Sequence, residues 1–204
     1  MTGAVRVTTD NFVRAESDMY FGAVAKKNGF GTFEHNRDPA DIAHQSVVRL
    51  NRDTLYSGAV FDLDAGPVTI TLPDAGGRFM SMQVIDEDEY VHAVVYGAGQ
   101  YRYDWETVGT RYMIVAIRIL VNPDDAVDLE NVRALQDAIR VRQKSPGSFE
   151  APNWDKASQK SVREALLALA QTIPDSRYMF GSREEVDPVR HLIGAATAWG
   201  GNPE

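Results

Sequence analysis

Cysteine is missing from all 204 residues of the chain. Disulfides, thiolate nucleophiles and cysteine-ligated metals are therefore excluded. A basic excess is missing too: 21 Lys and Arg stand against 29 Asp and Glu, for a net charge of -8. Nucleic acid is gripped by cations clustered against phosphates, and anionic membrane surfaces attract the same residues. Neither is an expected partner. Histidine is scarce, with four residues at positions 35, 44, 92 and 191, and no spacing among them suits a zinc site. The longest apolar run, Tyr112 to Val121, is interrupted by Arg118 and falls far short of the roughly 20 residues that span a bilayer. Residues Met1 to Asp10 contain no apolar core of a secretory signal. A cytoplasmic protein is expected. Phosphate-binding loops, Gly-x-Ser-x-Gly elbows, His-Glu-x-x-His helices and dinucleotide fingerprints are absent as well, so no cofactor is expected.

What is present is a change of periodicity along the chain. Phe12, Ala15, Met19, Ala23 and Val24 recur at helical spacing after Thr9 or Asp10, and Asn28-Gly29 is a stop. Residues 31 to 45 are polar and read as a loop with at most one helical turn. Strands follow at Tyr56–Leu63, Val68–Leu72, Arg78–Ile85, Tyr90–Tyr96 and Tyr112–Val121. In the second, Val68, Ile70 and Leu72 alternate with two threonines. Gly66-Pro67 and Pro73-Asp74-Ala75-Gly76-Gly77 mark turns, and Gly97-Ala98-Gly99 stops the fourth strand. Short strands joined by short turns predict an antiparallel meander. Helices are predicted after Asp128, Asp155 and Asp187-Pro188, each aspartate acting as a cap. Leu192, Ile193, Ala196 and Trp199 make the apolar stripe of the last. The expected fold is α+β: an antiparallel β-sandwich or jelly-roll-like core with an N-terminal helix and a C-terminal helical segment. A single domain over 1–204 is expected, with the N-terminal helix in 1–30, the β core in 46–122 and the helical part in 124–204.

Three places offer chemistry. Asn51-Arg52-Asp53 precedes the first strand, with Tyr56 on it. Arg52 can capture an anion, oriented by Asp53. Equally, Asn51 and Asp53 can tie up loop amides and leave Arg52 to pair with a carboxylate. On an alternating strand Tyr90, His92, Val94 and Tyr96 share one face. His92 there is a candidate acid or base, or else one residue of a polar outer face or a satisfied semi-buried histidine. The run Asp86-Glu87-Asp88-Glu89 reads as a solvated turn; oxygen ligation of a divalent cation by Asp86, Asp88 and His92 is its alternative. His191, beside Arg190, reads as a helix-surface residue.

The segment Val47-Val48-Arg49-Leu50-Asn51-Arg52-Asp53-Thr54-Leu55-Tyr56-Ser57 resembles the central signature of a bacterial family, domain of unknown function 1254. Asp62 to Val68, Leu72 to Phe79, Tyr112 to Val121 and Leu135-Gln136-Asp137 follow in the family's order, and the resemblance covers about residues 10 to 200. It implies a β-sandwich-like core with helical additions and carries no activity or catalytic residue. The tail from Glu185 to Glu204 resembles the junction that precedes a second β-rich domain, of the 1214 type, in longer members. The expectation is a stand-alone version or one whose second half is a separate polypeptide.

Two functions from different classes follow. One is a small-molecule enzyme, hydrolase- or lyase-like, in which Arg52, Asp53 and His92 are catalytic and Asn51, Tyr56 and Tyr90 bind substrate. The other is a non-catalytic binding or assembly module that self-associates or pairs with a separate 1214-type domain. No resident metal is expected in either.

Overall fold

The structure is a computed structural model that describes residues 3–40 and 51–197. The chain runs through α1 (Phe12–Lys26), β1 (Glu34–His35), β2 (Thr54–Asp62), β3 (Val68–Leu72), β4 (Met80–Asp86), β5 (Val91–Val95), β6 (Gly99–Tyr103), α2 (Trp105–Val108), β7 (Tyr112–Leu120), α3 (Ala126–Ala138), β8 (Arg140–Arg142), α4 (Lys156–Ala170) and α5 (Pro188–Ala195). Helices and antiparallel sheets make an α+β fold. His44, Arg49 and Trp199 lie outside the described residues, as do parts of the loop and of the tail read from the sequence.

The strands do not form a meander. Five make one antiparallel sheet in the order β1-β2-β7-β4-β5, and three make another in the order β6-β3-β8. β7 inserts between β2 and β4, pairing Thr54 with Leu120 and Met80 with Ile119. Its sequence suits a central strand, because Tyr112 to Val115 are buried on both faces. β3 leaves for the second sheet and pairs Ile70 with Tyr101 and Val141. β1, β6 and β8 were not expected. β8 falls in a segment read as helical, because the helix before it ends at Ala138 and Ile139 turns extended.

One core lies between the sheets. It joins Leu55, Ala59 and Phe61 of β2, Met80, Met82 and Val84 of β4, and Met113, Val115, Ile117 and Ile119 of β7 to Val68, Ile70 and Leu72 of β3. Val132 of α3 completes it. On the other face of the large sheet, Phe21 of α1 packs on Val60, Tyr112 and Ile114. A third cluster links Phe12 and Ala15 of α1 to Leu166 of α4 and Ile193 of α5.

The helix caps hold in two of three cases. Asp155 accepts from the Ser158 amide, and Asp187 accepts from Val189 and Arg190 with Pro188 behind it. The third helix is capped by Asp125 rather than Asp128. α1 begins after Asn11, not after Thr9 or Asp10, and buries Glu16, Ser17 and Asp18 while Ala23 is exposed. Those acids tolerate burial because they are partnered. Arg163 donates to Glu16, and the Trp154 indole N–H donates to Asp18 at 2.7 Å.

Candidate functional site

The β4–β5 connection is not a solvated turn. Asp86, Glu87 and Glu89 are only 1%, 4% and 5% exposed. Burial of Asp86 and Glu87 is tolerated because each is turned onto hydrogen-bond donors. Asp86 Oδ1 accepts from the amides of Asp88 and Tyr90, both at 2.9 Å. Glu87 Oε2 accepts from the Tyr112 amide at 2.9 Å. Asp88 pairs with Arg14 at 2.6 Å and reaches Arg183 at 3.6 Å. Glu89 takes a left-handed φ of 64° to close the hairpin.

His92 is placed by a β-bulge. Val84 pairs with Ala93 but Ile85 pairs with Val91, so His92 is the extra residue. A bulge re-aims a side chain relative to its strand. Here it brings His92 Nε2 to 2.8 Å from Asp86 Oδ2. An ionised carboxylate only accepts, so Nε2 donates to Asp86; in the neutral imidazole Nδ1 is then the nitrogen with the lone pair. The imidazole lines an open recess of about 420 Å³ with Gln83, Val94, Phe180, Ser182 and Glu185. The arrangement is an imidazole held by a buried carboxylate at the edge of an open recess, a geometry that can support proton transfer.

Tyr90 does not share this recess. Its ring stacks on His191 at 4.5 Å, with the Arg183 guanidinium 4.3 Å above it. His191 is not on the helix surface. It is 4% exposed, its Nδ1 lies 2.9 Å from the Met179 carbonyl and its Nε2 lies 2.8 Å from the Asp88 carbonyl.

Arg52, Asp53 and Asn51 sit at the other end of the large sheet. Asn51 Oδ1 accepts from the Asp53 amide at 2.7 Å, the backbone-tying arrangement anticipated as one alternative. The Asp53 carbonyl accepts from Val121, and Asp53 lines a shallow recess with Arg78, Asn122 and Asp128. Tyr56 lies under the Arg118 guanidinium, 5.3 Å from its ring centre. The register fixes the separation from His92. Asp53 precedes Thr54, which is level with Leu120, whereas His92 bulges out between the pairings of Val84 and Ile85, next to the row that holds Val115 and Ala59. That is about 20 Å along the strands and three inter-strand steps of about 4.8 Å across them. A single pocket holding Arg52, Asp53 and His92 is not formed, because β7 and β4 stand between them.

Among the described residues no three His, Asp or Glu side chains are grouped to hold a metal ion. Asp88 turns to Arg14 and Arg183, away from the metal set imagined with Asp86 and His92. Among the described residues no helix is long and apolar enough to cross a membrane. The orienting role of Asp86 and the contribution of residues 180–185 were not read from the sequence. A carboxylate six residues before a histidine across a tight turn was a usable signal for the first; nothing local signalled the second.

The family described as "Protein of unknown function (DUF1254)" matches residues 30–104. That span holds β1 to β6 and so contains both Asn51–Tyr56 and the Asp86–His92 hairpin. Tyr112–Val121 and Leu135-Gln136-Asp137, the later elements of the resemblance, lie beyond it. No curated protein matches the chain. Among solved structures, the crystal structure of the VPA0106 protein from Vibrio parahaemolyticus is similar, with a TM-score of 0.67 at 16% identity. The alignment covers 94% of this chain and 65% of that one, so the chain spans just under two thirds of that protein's length. Identity this low speaks for a shared fold alone. The match over residues 30–104 bears out the family resemblance of the sequence and supports assignment of the chain to the DUF1254 family.

Proposed function

We propose that the chain is a small-molecule enzyme of hydrolase or lyase type in which His92 moves a proton. The observation that carries this reading is the 2.8 Å contact from His92 Nε2 to a buried Asp86 whose other oxygen is held by two amides. Such a fixed acid sets both the tautomer and the direction of the ring. Ser182, Gln83 and Glu185 offer hydrogen bonds to a substrate in the recess, and Val94 and Phe180 offer apolar contact. Asn51, Arg52, Asp53 and Tyr56 keep a structural role in this reading, ordering the start of β2. The test is a panel of esters, lactones and hydroxy acids. His92→Gln is expected to lower turnover by about 10² or more with its melting temperature unchanged, and Arg52→Gln to keep the wild-type rate. A His92→Gln enzyme as fast as wild type on any substrate that the wild type consumes refutes the assignment.

A second reading is favoured by one surface. Phe79, Val94, Tyr96 and Leu120 are all exposed beside the outward face of the large sheet, and the rings of Phe79 and Tyr96 lie 6.0 Å apart. α1 covers only the part of that face near Val60 and Tyr112. An assembly module, self-associating or paired with a separate 1214-type domain, would use this patch, with the two sheets as layers of a sandwich of jelly-roll type. The mass of the purified chain in solution separates the readings: a monomer at all concentrations counts against self-association.

A further inference from the structure

The largest cleft among those described lies away from His92. It has a volume of about 870 Å³ and runs between α1, the loop at residues 149–154 and the start of α4. That size falls in the range of small-molecule sites, roughly 300–1,000 Å³.

Its walls are aromatic. Phe30 and Phe149 meet edge to face at 6.2 Å, and Trp154 also lines the cleft. Gly22 keeps this wall open, since a Cβ there would meet the Phe149 ring at 3.2 Å. The indole N–H of Trp154 is committed to Asp18, which is 5% exposed and also lines the cleft.

The charge of the lining runs against the charge of the chain. Lys26, Lys156, Lys160 and Arg163 face it, and Asp18 is the one acid among the described lining residues. The protein as a whole carries -8. Arg163 is bound to Glu16, and Lys160 has a 4.0 Å contact with Glu164. Lys26 and Lys156 have no carboxylate partner among the described residues. Two cations without acids, on the rim of an aromatic cleft in an acidic protein, suit a ligand that is flat, apolar and anionic at one end.

We infer that this cleft binds a small planar aromatic molecule carrying one anionic group, with its ring against Phe149 and Trp154 and its charge between Lys26 and Lys156. Burial holds the Asp18 carboxyl above its ordinary range, outweighing the Trp154 bond and the Arg14 charge.

The test uses 8-anilinonaphthalene-1-sulfonate and its uncharged analogue N-phenyl-1-naphthylamine, titrated by fluorescence against the whole chain. The sulfonate is expected to bind saturably. The Lys26→Gln/Lys156→Gln double variant is expected to weaken it about tenfold and to leave the amine's affinity unchanged. Both lysines are exposed, so the melting curve of the variant should match wild type. Three results would overturn the inference: no saturable binding of the sulfonate, equal sulfonate affinity in the double variant, or the amine binding as tightly as the sulfonate to wild type. Binding to the exposed Phe79 and Tyr96 patch would give the second result. A His92→Gln variant should bind the sulfonate like wild type, so failure of the enzyme reading leaves this experiment intact.

Discussion

Asp62 shows how single residues are fixed in this protein. Its side chain is nearly inaccessible, and burial alone would push its carboxyl up. Arg111 and the amides of Ser148 and Asp64 outweigh that and hold it below the ordinary range. The loop that brings Ser148 to Asp62 passes through Gly147 at φ 73°. A Cβ on Gly147 would lie 2.8 Å from Cβ and Cγ of Asp62 and would press on its Oδ2. Gly147→Ala therefore combines a disfavoured backbone with a clash, and an unfolding titration in urea should show a loss of about 1–3 kcal/mol or more. A variant as stable as wild type would mean that the loop moves without cost. At this scale the sequence was legible where chemistry is local. Asn51 holding the Asp53 amide and Asp187 capping its helix could both be anticipated. The pairing of His191 with Asp88 could not, because the two stand 103 residues apart and only the folded chain brings them together.

Elements are held to one another by ion pairs at their ends. Arg78, just before β4, binds both carboxylate oxygens of Asp128 in the first turn of α3, and also donates to the Leu120 carbonyl. The Arg78 bond, then the Asn122 amide, bring the Asp128 carboxyl down to about 2. A depressed carboxylate adds stability above its ordinary value of 3.8 and gives it up as pH falls through about 2. Asp128→Asn should lower the melting temperature at neutral pH and flatten its decline below about pH 4. An unchanged acid limb would show that the pair contributes nothing. Strands whose alternation was clean, Val68–Leu72 and the stretch from Tyr112, were readable as elements. Their partners were not, since pairing order depends on contacts that no window of sequence contains. β6 had its own signal, Tyr101 and Tyr103 alternating with Gln100 and Arg102, and was missed behind the glycines that precede it. β8 is three residues long and offered too short a pattern.

Across the whole molecule, the acids divide into two sets with opposite pH behaviour. Asp62, Asp128 and Asp175 are held low. Asp18 and Glu87 are held high by burial, despite Trp154 and Arg14 for the first and the Tyr112 amide and Arg14 for the second. A raised carboxyl contributes fully below its ordinary value, 4.5 for Glu87, and loses that contribution as pH rises through the folded value. The stability optimum should therefore be mildly acidic. Glu87→Gln should remove part of the decline as pH rises above 4.5, followed by melting temperature; a decline as steep as wild type would place the cause elsewhere. The outline of the molecule, an α+β fold with antiparallel strands, was legible from periodicity, whereas its buried acids looked like surface because their partners come from distant segments. Those distant partners also set an order of assembly. The Val7 amide donates to Ser158, Glu16 holds Arg163, and the recess beside His92 takes one wall from residues 180–185. Contacts of such long span form late. As the chain leaves the ribosome, residues 30–104 can be fully synthesised while the recess beside His92 still lacks the wall from residues 180–185, so a ligand of that recess can act only once the C-terminal third has been made.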